Sequence, residues 1–273
     1  MRATARIRAA HHGRITTLPH LHSDGPFHIR RLRTDGNAAT VGIIGAMSAP
    51  LGGDRLTLDI TAEDRAELEV TTAAATLALR GPTTDAATYD VRPTAGEHAH
   101  LRWLPQPLIS AAGSNLRQTY TVELAATSRF VLREEQLLGR ADEQPSHLVS
   151  RILVRRAGRP LLDQHTAYGA PEPGWDGPAV LNGHRAVGQL LVVDPRLDVR
   201  RDPVLLGEGA KETGAPSSHR WPTARHCSPQ PSHPPPQRCG NCSTRHAHTP
   251  SPASADGPPT RHATGPQRRT SRH

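Results

Sequence analysis

Leu116-Arg-Gln-Thr-Tyr120-Thr-Val122-Glu-Leu124 puts its apolar residues on even positions. A period of two belongs to a strand with one face buried and the other wet. Leu56, Leu58 and Ile60 repeat the alternation, as do Leu68 with Val70, and Leu148 with Ile152 and Val154. Turn residues separate these runs: Gly52-Gly53-Asp54, Ala62-Glu-Asp64, Thr94-Ala-Gly96, Gly113-Ser114-Asn115 and Ala157-Gly158. No stretch carries a helical period with caps at both ends. The expected class is all-β.

Working outward, Thr57-Leu-Asp-Ile60, Thr88-Tyr-Asp-Val91 and Thr119-Tyr-Thr-Val122 recur at an even spacing. Each is followed by a turn and a second alternating strand: Ala66-Glu-Leu-Glu-Val70, Ala99-His-Leu-Arg-Trp103 and Arg129-Phe-Val-Leu132. A unit recurring at a fixed period suggests stacked, β-helix-like layers, although regular turns in any β protein produce similar echoes. In Trp103-Leu-Pro105-Gln-Pro107-Leu-Ile109 neither proline can donate to a ladder. That segment is therefore an edge strand or a corner between layers.

Composition divides the chain into a β domain, residues 1–209, and a Pro/Arg/His-rich segment, residues 210–273. From Lys211 onward there is no Ile, Leu, Val, Met, Phe or Tyr. Such a tail has almost nothing to bury against the entropy of ordering and is expected to be disordered. It also accounts for the charge. The whole chain has 33 Lys+Arg against 25 Asp+Glu, and removing the tail leaves 24 against 23. A phosphate-binding fold would keep that excess on its folded face.

The three cysteines, Cys227, Cys239 and Cys242, all lie in the tail. The β domain thus has no disulfide framework, no apolar run spans a bilayer, and the first residues lack the apolar core of a signal peptide. A cytoplasmic protein is expected.

Catalytic signatures are missing. There is no Gly-x-Ser-x-Gly and no His-Glu-x-x-His, and Gly42-Ile-Ile-Gly45 lacks the Gly-Lys-Ser/Thr of a phosphate loop. Cys239-x-x-Cys242 with His246, His248 and Cys227 superficially resembles a zinc site. A structural zinc module still packs apolar residues beneath its metal, and here there are none. A GC-rich reading frame read out of phase yields this composition, and that reading is preferred. The N-terminal histidines His11, His12, His20, His22 and His28 are read as surface residues. Glu134 and Glu135 are neighbours on an alternating strand, so one of the two carboxylates should face inward.

Four segments together resemble one family. Pro50-Leu-Gly-Gly-Asp-Arg-Leu56, Thr71-Thr-Ala-Ala-Ala-Thr76, Leu101-Arg-Trp-Leu-Pro-Gln-Pro-Leu-Ile109 and Leu137-Leu-Gly-Arg140 follow the order and spacing of the UreD (UreH) urease accessory proteins. The resemblance runs from about Ala5 to Gly207. It implies a β-rich stacked fold with few helices and no catalytic activity. It also implies partners, namely urease apoprotein, UreF and UreG, and no stably bound cofactor, with nickel in transit through an internal tunnel.

Such transit calls for weak oxygen ligands in series, because a tight His/Cys site would trap the ion. Carried over position by position, the resemblance points to Asp54, Thr76, Glu134 and the adjacent Glu135 as transient nickel ligands. A further acidic position falls at Gln164, beside Asp163. Trp103, Pro105, Gln106 and Pro107 are the candidate partner-binding corner.

This chain departs from the family in carrying Leu77-Ala-Leu79 where many relatives have Lys-Tyr or Lys-Phe. It also has its own tail where the family continues with further layers, which should leave an exposed β edge. The rival reading is a nucleic-acid-binding protein acting through the tail. It requires affinity that falls steeply with salt and survives deletion of residues 1–209. With the excess charge confined to the tail no nucleic-acid partner is expected, and with no spanning apolar run no membrane partner is expected.

Overall fold

The structure is a computed structural model and describes residues 1–34 and 36–197. The expected tail, its cysteines and the boundary at 209/210 lie outside the described residues. Fifteen strands and no helix are found among those described.

Two hairpins open the chain, β1 (Arg2–His12) with β2 (Ile15–His22) and β3 (Phe27–Leu32) with β4 (Ala39–Gly45). Next come β5 (Arg55–Ala62), β6 (Glu67–Thr72), β7 (Thr76–Ala78), β8 (Ala87–Ala95), β9 (His100–Trp103) and β10 (Leu108–Ser110). The longer β11 (Asn115–Leu124), β12 (Arg129–Leu138), β13 (His147–Arg156), β14 (Arg159–Tyr168) and β15 (Ala186–Val193) follow.

In the first sheet β1, β5, β8, β11 and β13 run parallel, with β2 and β14 antiparallel at its two edges. In the second sheet β4, β6, β9 and β12 run parallel, β3 pairs antiparallel with β4, and β15 pairs antiparallel with β12. The short β7 and β10 extend this sheet beside the far half of β12. The chain crosses between sheets on every circuit and lays each circuit on the one before, which is β-solenoid-like stacking.

The alternation read in the sequence is the one that folds. Leu56, Leu58 and Ile60 are buried, as are Leu116, Tyr120, Val122 and Leu124. They face the opposing sheet and form a single apolar core with Leu68, Val70, Leu101, Trp103, Phe130 and Leu132.

The even echo in the sequence conceals two unequal circuits. Leu58 lies opposite Val91, and Val91 lies opposite Tyr120, so the second circuit is the shorter. Thr57 and Thr119 therefore both face Asp90, and Thr88 is shifted by two. An even shift leaves every side chain on its own face, which is why the echo survives it.

The opposite face of the first sheet is wet. Asp59 lies 3.6 Å from Arg6 and 4.0 Å from Arg92, Glu123 pairs with Arg155, and Asp163 pairs with Arg151. Exposed pairs of this kind contribute little to stability, and their place here is to keep that face solvated.

Of the two placements expected for the Pro105–Pro107 segment, the corner is correct. Leu104 to Pro107 link β9 to β10, and β10 has a neighbour on each side. At the far end of the first sheet, β14 is an edge strand whose Leu161 is 47 % exposed.

Candidate functional site

The inward face of the first sheet changes character along the stack. One register column runs Ala3, Leu56, Tyr89, Gln118, Ser150 and Thr166, from β1 across to β14. It begins apolar and becomes polar at β8. Gln118 and Ser150 are buried like the inward residues that flank them, Leu116 and Tyr120 on β11 and Leu148 and Ile152 on β13. Burying such groups is costly unless each finds a partner, so a lane of them inside a small core calls for an explanation.

The lane meets Glu134 of β12, which is 4 % exposed and reaches inward from the second sheet. Ser150 donates to Glu134 Oε1 at 2.6 Å across the space between the sheets. Gln136 Nε2 donates to the same oxygen at 2.8 Å, and Gln189 Nε2 of β15 donates to Oε2 at 2.5 Å. Burial pushes the Glu134 carboxyl above its ordinary range, and the three donors pull it part of the way back. The hydrogen-bond partners of this inward carboxylate are all neutral, and none of them is a histidine or cysteine.

Beside it lies a narrow cavity of about 10 Å³ measured to the centre of a water molecule, which is room for about one. Its lining runs from the buried Tyr89, Gln118, Tyr120 and Trp103 to the half-exposed Pro105 and exposed Gln106 of the corner. Gln118 Nε2 donates to the Tyr120 hydroxyl at 2.8 Å. Its own Oε1 has no hydrogen-bond partner. Burial drives the Tyr89 and Tyr120 phenols upward, with the Glu134 charge adding to the effect at Tyr120. Both phenols stay neutral and can only donate or accept.

Three of the four candidate metal residues come together here. Thr76, Glu134 and Glu135 all line the cavity. Thr76 and Gln136 share a register column with Leu108 between them. Glu135 points the other way from Glu134, as alternation requires, and sits beside Arg133 with its Oε2 3.5 Å from Nε.

Asp54 is not part of this group. Its carboxylate is 4 % exposed and accepts from the Met1 ammonium at 2.7 Å and from the Leu51 amide at 2.8 Å. Those contacts close a turn and leave it committed. Asp163 faces outward on β14 against Arg151, while Gln164 is half-buried.

In the candidate partner corner Trp103 is 1 % exposed and presents no surface. Gln106 is exposed, and Pro105 and Pro107 are half-exposed. The sequence reading missed Gln118, Gln136, Ser150 and Gln189. For the first three the signal was available, since each is a polar residue at an inward position of an alternating strand. His20 and His22 are exposed, as expected, and share a face of β2 with ring centroids 6.2 Å apart.

The family model described as UreD urease accessory protein matches residues 1–228. The chain belongs to the UreD family. Urease accessory protein UreD 2 of Saccharopolyspora erythraea is 66 % identical over 193 residues, covering 71 % of this chain and 68 % of that protein. UreD 3 of Streptomyces griseus is 56 % identical over 200 residues, covering 71 % and 78 %. UreD of Streptomyces avermitilis is 50 % identical over 218 residues, covering 78 % and 86 %. These relatives are named as accessory proteins and not as enzymes. Among the described residues of this UreD-family chain, no helix is long and apolar enough to cross a membrane.

Proposed function

We propose that this UreD-family protein serves nickel insertion into urease in the cytoplasm, as a scaffold and conduit without catalytic chemistry of its own. Its partners are urease apoprotein, UreF and UreG, and nickel is cargo and not a resident cofactor. The observation that carries the reading is the buried polar lane, which runs from Tyr89 through Gln118 and Ser150 to Glu134. A core that needed only stability would hold aliphatic residues there.

Glu134 offers one exchangeable oxygen charge, and Thr76, Ser150 and the tyrosine hydroxyls offer neutral oxygens around it. Such ligands replace part of an ion's hydration shell without holding it, which is what passage requires. Glu135 lines the same cavity, is more exposed than Glu134 and would meet the ion earlier. The exposed corner at Gln106 lies by that cavity, which suits a docking surface for the protein that delivers or receives the metal.

The test is co-expression with cognate urease apoprotein, UreF and UreG, scored for soluble complex and nickel-dependent urease activity. The natural chain should form the complex and support activity. Glu134→Gln should keep the complex and lose activity by about tenfold or more, the loss typical when a polar metal-site residue is neutralised. Full activity in a folded Glu134→Gln chain would remove the lane from the mechanism. No complex with the natural chain would overturn the scaffold role.

A further inference from the structure

Arg133 points outward from β12, yet its guanidinium turns onto the backbone of the corner. Its Nη2 donates to Pro105 O at 2.9 Å and to Leu104 O at 3.3 Å. Its Nε lies 3.5 Å from Glu135 Oε2 but outside hydrogen-bonding geometry, and that buried nitrogen has no partner. One cation is thus surrounded by three oxygens, two backbone carbonyls and one carboxylate, and fits them imperfectly. Pro105 and Glu135 also line the cavity that leads to Glu134. Thr71 Oγ1 donates to Leu104 O at 2.8 Å, which holds that carbonyl in place independently of the arginine.

We propose that the Arg133 guanidinium occupies an oxygen-built divalent-cation site where the corner borders the cavity, and that an arriving cation displaces it. The ligands would be Leu104 O, Pro105 O and the Glu135 carboxylate. Carbonyl and carboxylate oxygens are the donor set of hard divalent cations, and water completes the shell. Arg133 then acts as a built-in substitute ion. It neutralises Glu135 and pins the corner when no metal is present, and it releases both when one enters. Its role as an entry gate rests on the conduit reading above, but the site itself does not.

The test is Mn²⁺ titration of the purified full chain by calorimetry. Mn²⁺ suits it because this ion favours oxygen ligands over the cysteines and histidines of residues 211–273. Arg133→Ala should bind Mn²⁺ about tenfold more tightly than the natural chain. The double variant Arg133→Ala with Glu135→Gln should lose that gain.

Arg133→Lys keeps the charge and stem but cannot fork across two carbonyls. It should gain about threefold and decides the matter if the alanine variant does not fold. Folded variants that bind no better than the natural chain, or a gain that survives Glu135→Gln, overturn the site. Natural chain that fails to support urease activity, alongside a Mn²⁺ gain that depends on Glu135, would sink the conduit reading and leave the site standing.

Discussion

Two ionisable residues, one half-buried and one buried, pull the acid stability of this protein in opposite directions. His100 of β9 is half-buried beside Arg129 and Arg102, and burial first, then those charges, lower it from 6.5 to about 4. The unfolded chain takes up that proton near the ordinary value and the folded chain only near 4. Stability from this residue is therefore complete above about 6.5 and is lost as pH falls toward 4. Glu134 is raised, so its contribution is complete below its unfolded value and is lost as pH rises through its folded one. Urea unfolding between pH 4 and 7 should show a decline toward acid that His100→Gln flattens, and an unchanged slope in that variant would assign the decline elsewhere. At this scale alternation already required that one of Glu134 and Glu135 face inward, and the structure shows it is Glu134. It did not reveal what Glu134 touches, because Ser150 and Gln189 lie far from it in sequence.

Strands here are stabilised by columns of side chains from successive circuits. Leu68, Leu101 and Phe130 are in register on β6, β9 and β12, and all three are buried. Val70, Trp103 and Leu132 form the next column inward along the same strands. The short β9 is held mainly by its place between two neighbours and by these columns, with few ladder bonds of its own. Leu101→Ala removes the middle of a stack whose upper and lower members cannot close the gap, since the spacing of the strands is set by their hydrogen bonds. It should cost about 2–5 kcal/mol, measured as a lowered unfolding midpoint in urea; a loss well below about 1 kcal/mol would mean that the circuits pack loosely. Strand positions, inward faces and turns could be read from a local pattern. The choice between edge and corner for Pro105–Pro107 could not, because proline excludes a ladder position without saying what lies beyond it.

Across the whole molecule each circuit touches chiefly the next, so protection should be graded along the stack. The central β8, β9, β11 and β12 have neighbours on both sides, whereas β2, β3 and β14 have a neighbour on one. Hydrogen exchange should be slowest in the central four and fastest in β2, β3 and β14, and uniform exchange would indicate a single all-or-none unit. The same organisation separates what could be known from each source. By itself the sequence determined that the domain is all-β, which residues of each strand face inward, and through four spaced segments the family, because period, turn chemistry and motif are local. Only the tertiary structure decided that circuits of unequal length lie in register, with Leu58, Val91 and Tyr120 side by side. Only there do Ser150, Gln136 and Gln189 converge on Glu134. It alone showed that Asp54 closes a turn while Thr76 and Glu135 join the cavity. Those relations depend on the summed length of every turn around a circuit and on the packing of two opposed sheets. No local rule specifies either.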